Sequence, residues 1–327
     1  MFQIVPHAVA VDALDGARDA VLTAVEKAYL AHDRGETVNP SSHFLRFPDR
    51  PANRIIALPA YLGGEVGMPG LKWISSFPGN HDLGLPRASA VLLLNDDRTG
   101  RPVACLESAH ISAVRTAASA ALAARALRPS GGPVSLGFVG TGVIARTIAD
   151  YLRHTALPVT RFVCHDLVPE RAQRFVSDVE KHWPGSGEAV DLDAALGCDV
   201  VVFATTAGTP YLPESLRFAP GQTVLNVSLR DIHPRTLLAT QNIVDDVDHC
   251  LRAQTSPHLA EQLSGGRGFV TGTLADVLRG RCELKPHEAV VFSPFGLGVL
   301  DIAVGALVLD RAKSDARTVS VTDFFGN

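Results

Sequence analysis

Cysteine is sparse in this chain: five residues, Cys105, Cys164, Cys198, Cys250 and Cys282, odd in number and without a C-x-x-C pair. That excludes a disulfide-built scaffold and predicts reduced thiols in a cytoplasmic protein. The twelve histidines form neither an H-E-x-x-H nor an H-x-x-E-H pattern, so no metal site is expected. No apolar run reaches the length of a membrane span. No basic segment followed by an apolar core marks a secretory leader. A large excess of one charge is also missing. The net charge of −4 and pI near 6.3 offer nothing to attract nucleic acid or an anionic membrane. Repeats and low-complexity segments are absent. A length of 327 residues, 46% of them hydrophobic, suffices for two domains with a sizeable core.

The most informative segment that is present runs from Val134 to Ala145. The apolar stretch Val134–Val139 reads as a buried parallel strand, and Gly140-Thr141-Gly142-Val143-Ile144-Ala145 opens a helix after it. This is G-x-G-x-x-A in the strand–turn–helix setting that a dinucleotide fingerprint needs. Gly140 permits the turn, Gly142 lets backbone approach a pyrophosphate, and Ala145 allows close helix packing. The pyrophosphate would rest on amides at the positive end of the helix dipole. A second strand, 161–165, ends in Asp166, 26 residues after Gly140. An acid there accepts from the ribose hydroxyls and repels a 2′-phosphate, which predicts NAD rather than NADP. The bland alternative makes Asp166 a helix N-cap.

Strand and helix alternate through the middle of the chain. Helices are expected at 142–153, 169–182, 191–197, 234–240, 257–264 and 273–279. Strands are expected near 188–190 and at 199–204, 223–228, 243–245 and 289–292. The fold class is α/β: a Rossmann-type doubly wound sheet over 121–296, plus a discontinuous α+β substrate and dimerisation domain from 1–120 and 297–327. In the latter, one helix is expected over 12–34, strands at 54–60, 70–77, 89–95 and 101–106, and helices at 108–127 and 297–313. Ligands bind where parallel strands end. Thr205 and Thr206 in one such loop, and Ser228 and Leu229 in another, are therefore expected to line the cofactor crevice. Thr116 is counted with them.

Arg46, Lys72, Arg87 and Arg115 are candidate substrate-binding cations. A lysine inside the strand around Lys72, or an arginine inside the small-residue helix around Arg115, needs an anion. The bland readings are ion pairs to Glu107 or Asp82 for Lys72 and Arg115, and solvated surface for Arg46, Arg54 and Arg87. Together the cations suggest a substrate with more than one carboxylate.

Several motifs resemble the ornithine cyclodeaminase/mu-crystallin family. They are Arg54-Ile55-Ile56-Ala57-Leu58-Pro59, Gly70-Leu71-Lys72, Gly79-Asn80, Thr99-Gly100-x-Pro102, Arg115-Thr116-Ala117-Ala118, the Gly140 fingerprint and Asn226-Val227-Ser228-Leu229-Arg230-Asp231. The resemblance covers nearly the whole chain. It implies that Arg46, Lys72 and Arg115 meet substrate carboxylates and that Asp231, with Lys72, is catalytic. It also implies a homodimer. Asp231 could instead cap the helix that begins near Pro234, and His233 is an alternative acid–base group. The family's cyclodeaminases carry a glutamate where Ala57 stands, and a neutral residue where Arg87 stands. Those departures favour a polycarboxylate amine over ornithine. Within the family, Leu45-Arg46, Arg87-Ala88-Ser89 and Val244-Asp245-Asp246 resemble the siderophore-pathway members, which implies NAD-dependent oxidation of a glutamate–diaminopropionate conjugate to 2-oxoglutarate and 2,3-diaminopropionate, with net NADH. The alternatives are an ornithine or lysine cyclodeaminase, an imino-acid reductase, or a non-catalytic mu-crystallin-like nucleotide-dependent binding protein.

Overall fold

The computed structural model describes residues 1–128, 132–155, 157–183 and 185–326. These form two compact units, Met1–Arg115 with Leu297–Asn327, and Thr116–Gly296. The seam falls inside the helix Ala109–Leu127, as does the 120/121 boundary expected from sequence.

The first unit is built on an eight-stranded sheet. Its order is Val319–Val321, Phe2–Val5, Pro102–Glu107, Ala88–Asn95, Met68–Ser76, Arg50–Leu62 and Thr37–Val38, with His43–Phe47 also paired to Arg50–Leu62. All ladders are antiparallel except that between Phe2–Val5 and Pro102–Glu107. Period-two alternation sorts the side chains: Ala90, Leu92 and Leu94 are buried, whereas Ser89 and Val91 are exposed. The helix Gly298–Ala312 lies on the buried face. Its Gly305 permits that approach, since a Cβ there would stand 2.2 Å from Leu92 Cδ2. The single helix expected over 12–34 is in fact two, His7–Leu14 and Arg18–Asp33. Gly16, at φ +65, breaks it with a left-handed residue that periodicity does not reveal. The short strands at 2–5, 37–38, 43–47 and 319–321 were not expected. Too short to show alternation, they are held by their neighbours.

The second unit is an eight-stranded sheet whose every ladder is parallel. The order is Ser186–Ala189, Val159–His165, Val134–Val139, Val200–Phe203, Thr223–Asn226, Val290–Ser293, Gln241–Val244 and Val270–Thr273. Helices connect these strands except between Val200–Phe203 and Thr223–Asn226, and the parallel order is that of the expected Rossmann-type doubly wound fold. Strand order reverses between Val134–Val139 and Val200–Phe203, and such a switch point opens a crevice at the strands' carboxyl ends. The strand Val270–Thr273 was not expected, because its Gly and Thr residues mask an apolar pattern.

Candidate active site

In the second unit, Gly140 has φ +87, and a Cβ there would lie 2.7 Å from the Ala204 carbonyl oxygen. Only glycine fits this turn. Gly142 differs: a Cβ would meet nothing within 4 Å, so the space above it is open. Gly142 is the N-cap of the helix Val143–Arg153, which has no side-chain cap and no acid in its first turn. Val143 is exposed, Ile144 half-buried, and Ala145 fully buried against the sheet. Uncapped amides beside an open glycine fit a pyrophosphate.

Asp166 ends the adjacent strand. Its Oδ2 accepts from the Thr141 amide at 3.0 Å and from Thr141 Oγ1 at 2.7 Å, and its Oδ1 accepts from the Val168 amide at 3.0 Å. Burial pushes this carboxyl up, but the donors outweigh it and hold Asp166 below the usual carboxylate range. The helix-cap alternative does not describe it, since Val168 is the N-cap of Pro169–Glu180. The acid is therefore tied to the fingerprint turn itself.

The loops after Val200–Phe203 and Thr223–Asn226 meet at Asp231, which is fully buried. Thr205 Oγ1 donates to its Oδ1 at 2.5 Å, and Ser228 Oγ donates to its Oδ2. The amides of Tyr211 and Leu212 both bond the Asp231 carbonyl at 3.2 Å. Burial, together with the Asp231 carboxylate it meets, holds the Tyr211 phenol well above its ordinary range. Leu229 sits in the left-handed region at φ 67, with its carbonyl held by the Ser256 amide. Thr206 is exposed in its loop, whereas Thr116 is half-buried on Ala109–Leu127, outside both loops. Asp231 does not cap the helix at Pro234. His233 does, accepting from the Arg235 amide through Nδ1 at 3.3 Å. Tyr211 went unnoticed in the sequence, because a tyrosine in a Thr-Pro-Tyr-Leu loop carries no distinctive pattern.

In the first unit Lys72 and Arg115 do come together, but on neither Glu107 nor Asp82. Their anion is Asp301. Lys72 Nζ donates to Asp301 Oδ2 at 2.6 Å, and Arg115 Nε to Oδ1 at 3.2 Å. Ser112 Oγ accepts from both cations at 3.4 Å. Glu107 instead binds His7 and the Ala109 amide. Sequence reasoning missed Asp301, although an aspartate inside the apolar run Gly298–Ala312 was a visible signal.

Cross-strand register places Arg46 opposite Arg54, and Arg54 opposite Ser76. These lie on the same sheet face as Lys72, four residues or about 13 Å along the strand from Ser76. Arg87 donates to Ser76 Oγ at 2.8 Å, so it joins that group. Burial pushes its guanidinium down, and among the described residues no carboxylate lies within ion-pair distance of it. Arg46 is exposed and lies over the Phe44 ring at 5.1 Å. Ala57 pairs with Trp73, and Lys72 with Leu58. Ala57 therefore faces away from Lys72, and its lack of charge says nothing about the cations. Among the described residues no His, Cys, Asp and Glu group could hold a metal.

The profile of the ornithine cyclodeaminase/mu-crystallin family matches residues 3–316. The chain belongs to that family. A family relative, the N-((2S)-2-amino-2-carboxyethyl)-L-glutamate dehydrogenase of Staphylococcus aureus, is 28% identical, with 89% of each chain covered. The structure called CmnK is 31% identical, with 98% of each chain covered and a TM-score of 0.85. An archaeal alanine dehydrogenase dimer with bound NAD is 25% identical, with 98% of this chain and 99% of that one covered and a TM-score of 0.85. This family therefore includes NAD-binding dehydrogenases of amino acids that share both units of this fold.

Proposed function

We propose that this protein is an NAD-dependent oxidoreductase acting on the CH–NH bond of an N-substituted amino acid with several carboxylates. The substrate favoured is N-(2-amino-2-carboxyethyl)-L-glutamate, cleaved to 2-oxoglutarate and L-2,3-diaminopropionate for a siderophore or another specialised metabolite. The observation that carries this reading is Arg87. A half-buried guanidinium that has, among the described residues, only a serine hydroxyl for a partner costs desolvation energy that a substrate carboxylate would repay. Arg46 and Arg54 on the same face extend the cationic strip, and Lys72 with Arg115 would take the carboxylate next to the reacting carbon.

NAD, when bound, supplies the hydride acceptor, and Gly140, Thr141, Gly142, Val143, Ile144 and Asp166 would hold it. Thr116, Thr205, Thr206, Ser228 and Leu229 complete the proposed cofactor contacts. Hydride leaves the glutamate Cα, the amine proton is lost, and water then splits the imine into 2-oxoglutarate and the diamino acid. Asp231 is the proton acceptor in this scheme. Its carboxylate has no exposed surface, so the Thr205 or Ser228 hydroxyl bonded to it would pass the proton inward. The exposed apolar residues Ile4, Trp73 and Val91 share the sheet face opposite Lys72. A second copy of the chain is the proposed cover for that face.

The test is turnover with NAD and the synthetic conjugate. Stoichiometric NADH and 2-oxoglutarate are expected, with no proline from ornithine. Proline and ammonia without net NADH would identify a cyclodeaminase, and NAD binding without either reaction would identify a binding protein.

A further inference from the structure

We propose that Asp301 is a positioning residue. Bridging Lys72 and Arg115, it fixes both cations and leaves the trio one positive charge in excess, the complement of a single substrate carboxylate. The inference rests on reading this unit as the carboxylate-binding one. Asp301 is fully buried in a helix turn whose neighbours Val299, Leu300, Ile302 and Ala303 are apolar. It lies 229 residues from Lys72 in sequence and 186 from Arg115. Each carboxylate oxygen takes one cation, and Ser112 Oγ accepts from both cations on the other side. Lys72 is 2% exposed and Arg115 12%, so the unused donors open mainly on the arginine side.

Two cations so close in a buried site repel each other. Without an anion, desolvation and Arg115 together would strip the Lys72 proton. Burial above all, with Arg115 pushing the same way and Asp301 opposing both, leaves the Lys72 ammonium lowered to about 8. The strand partners of Lys72 are Leu58 and Leu92, which carry no charge. Asp301 and Arg115 are thus the charged groups that govern it. A purely structural ion pair would hold the helix to the sheet and leave the ammonium's titration irrelevant to binding. A positioning carboxylate makes that titration control substrate affinity.

The experiment is a titration of ¹³Cε-lysine resonances in the full-length protein, wild type against Asp301→Asn. Lys27, Lys181, Lys285 and Lys313 all carry exposed ammonium groups, so the buried Lys72 signal stands apart. Removing the carboxylate is expected to move the Lys72 midpoint down by about 1–3 pH units. The alkaline fall in kcat/KM for the conjugate should move with it, and KM should rise roughly tenfold or more near neutral pH. Asp301→Glu, which keeps the charge, should restore the midpoint and most of the affinity. It also serves as the second variant should the asparagine form not fold. An unchanged midpoint in Asp301→Asn, or one as low in Asp301→Glu as in Asp301→Asn, overturns the proposal. So does a pH profile that ignores a shifted midpoint. Because the resonance is read without substrate, a wild type that oxidises no conjugate but shows the shift loses only the substrate reading.

Discussion

Asp301 in the first unit and Asp231 in the second are both carboxylates without exposed surface, yet their surroundings differ in kind. Asp301 is bracketed by a lysine and an arginine, so its charge is consumed in holding two cations still. Asp231 accepts from neutral hydroxyls, Thr205 and Ser228, which can exchange protons with a neighbour. A buried ion pair contributes little net stability but holds a field in place. A carboxylate ringed by hydroxyls has a path along which a proton moves. The first arrangement suits gripping an anion, and the second suits acid–base work. One residue type can thus suit two purposes, and its partners decide which.

The sharpest way to break this comparison is Asp231→Asn. If the second carboxylate is the proton acceptor, kcat should fall by about 10²–10⁴-fold while NAD affinity, read by fluorescence, stays close to wild type. A variant with near-native turnover would reduce Asp231 to an anchor for its two loops, a structural post like any buried ion pair.

Arg87→Ala tests whether the first unit is arranged to grip an anion. Losing one charge-assisted contact should raise KM for the conjugate by roughly ten- to a hundredfold, about 1.5–3 kcal/mol, with kcat nearly unchanged. Arg46→Ala should act in the same direction but more weakly, since that cation is exposed and already rests on Phe44. Steady-state kinetics at fixed NAD separates the two. An Arg87→Ala enzyme with native KM would leave the half-buried guanidinium unexplained.

The smallest expected effect concerns the second unit's other asset, its open amides. Gly142→Ala adds a methyl group into empty space, so the melting temperature should hold. NAD affinity should nonetheless drop by about tenfold, because the methyl group occupies the approach to the helix amides. Equal losses of stability and of NAD binding would mean that Gly142 serves the fold rather than the ligand.

The second unit was easier to read than the first. Its central strands, Val134–Val139 and Val200–Phe203 among them, are short apolar runs, and the glycine turn that follows the first has a fixed composition. Local composition therefore carries the pattern. The first unit hides more. Gly16 splits a helix whose apolar spacing is continuous on both sides, and the strand at 2–5 pairs with the edge strand at 319–321 across nearly the whole chain. Ala57 is the instructive error. Its replacement of the cyclodeaminases' glutamate suggested a site better suited to a polycarboxylate, but register turns it to the face away from Lys72, and register is a property of the ladder, not of either strand.

By itself the sequence determined the α/β fold class, the glycine turn after Val134–Val139 and the identity of the cations, because each depends on residues close together in the chain. Only the tertiary structure decided what those cations face. Asp301 reaches Lys72 from 229 residues away, along a helix whose apolar pattern marks the aspartate as unusual without showing which cations it meets. Likewise the cap at Pro234 passed to His233, releasing Asp231 to the Ser228 hydroxyl of its own loop and the Thr205 hydroxyl of another. Charges are placed by the chain, but their energies are set by what folding buries against them, and that is a long-range quantity no local pattern encodes.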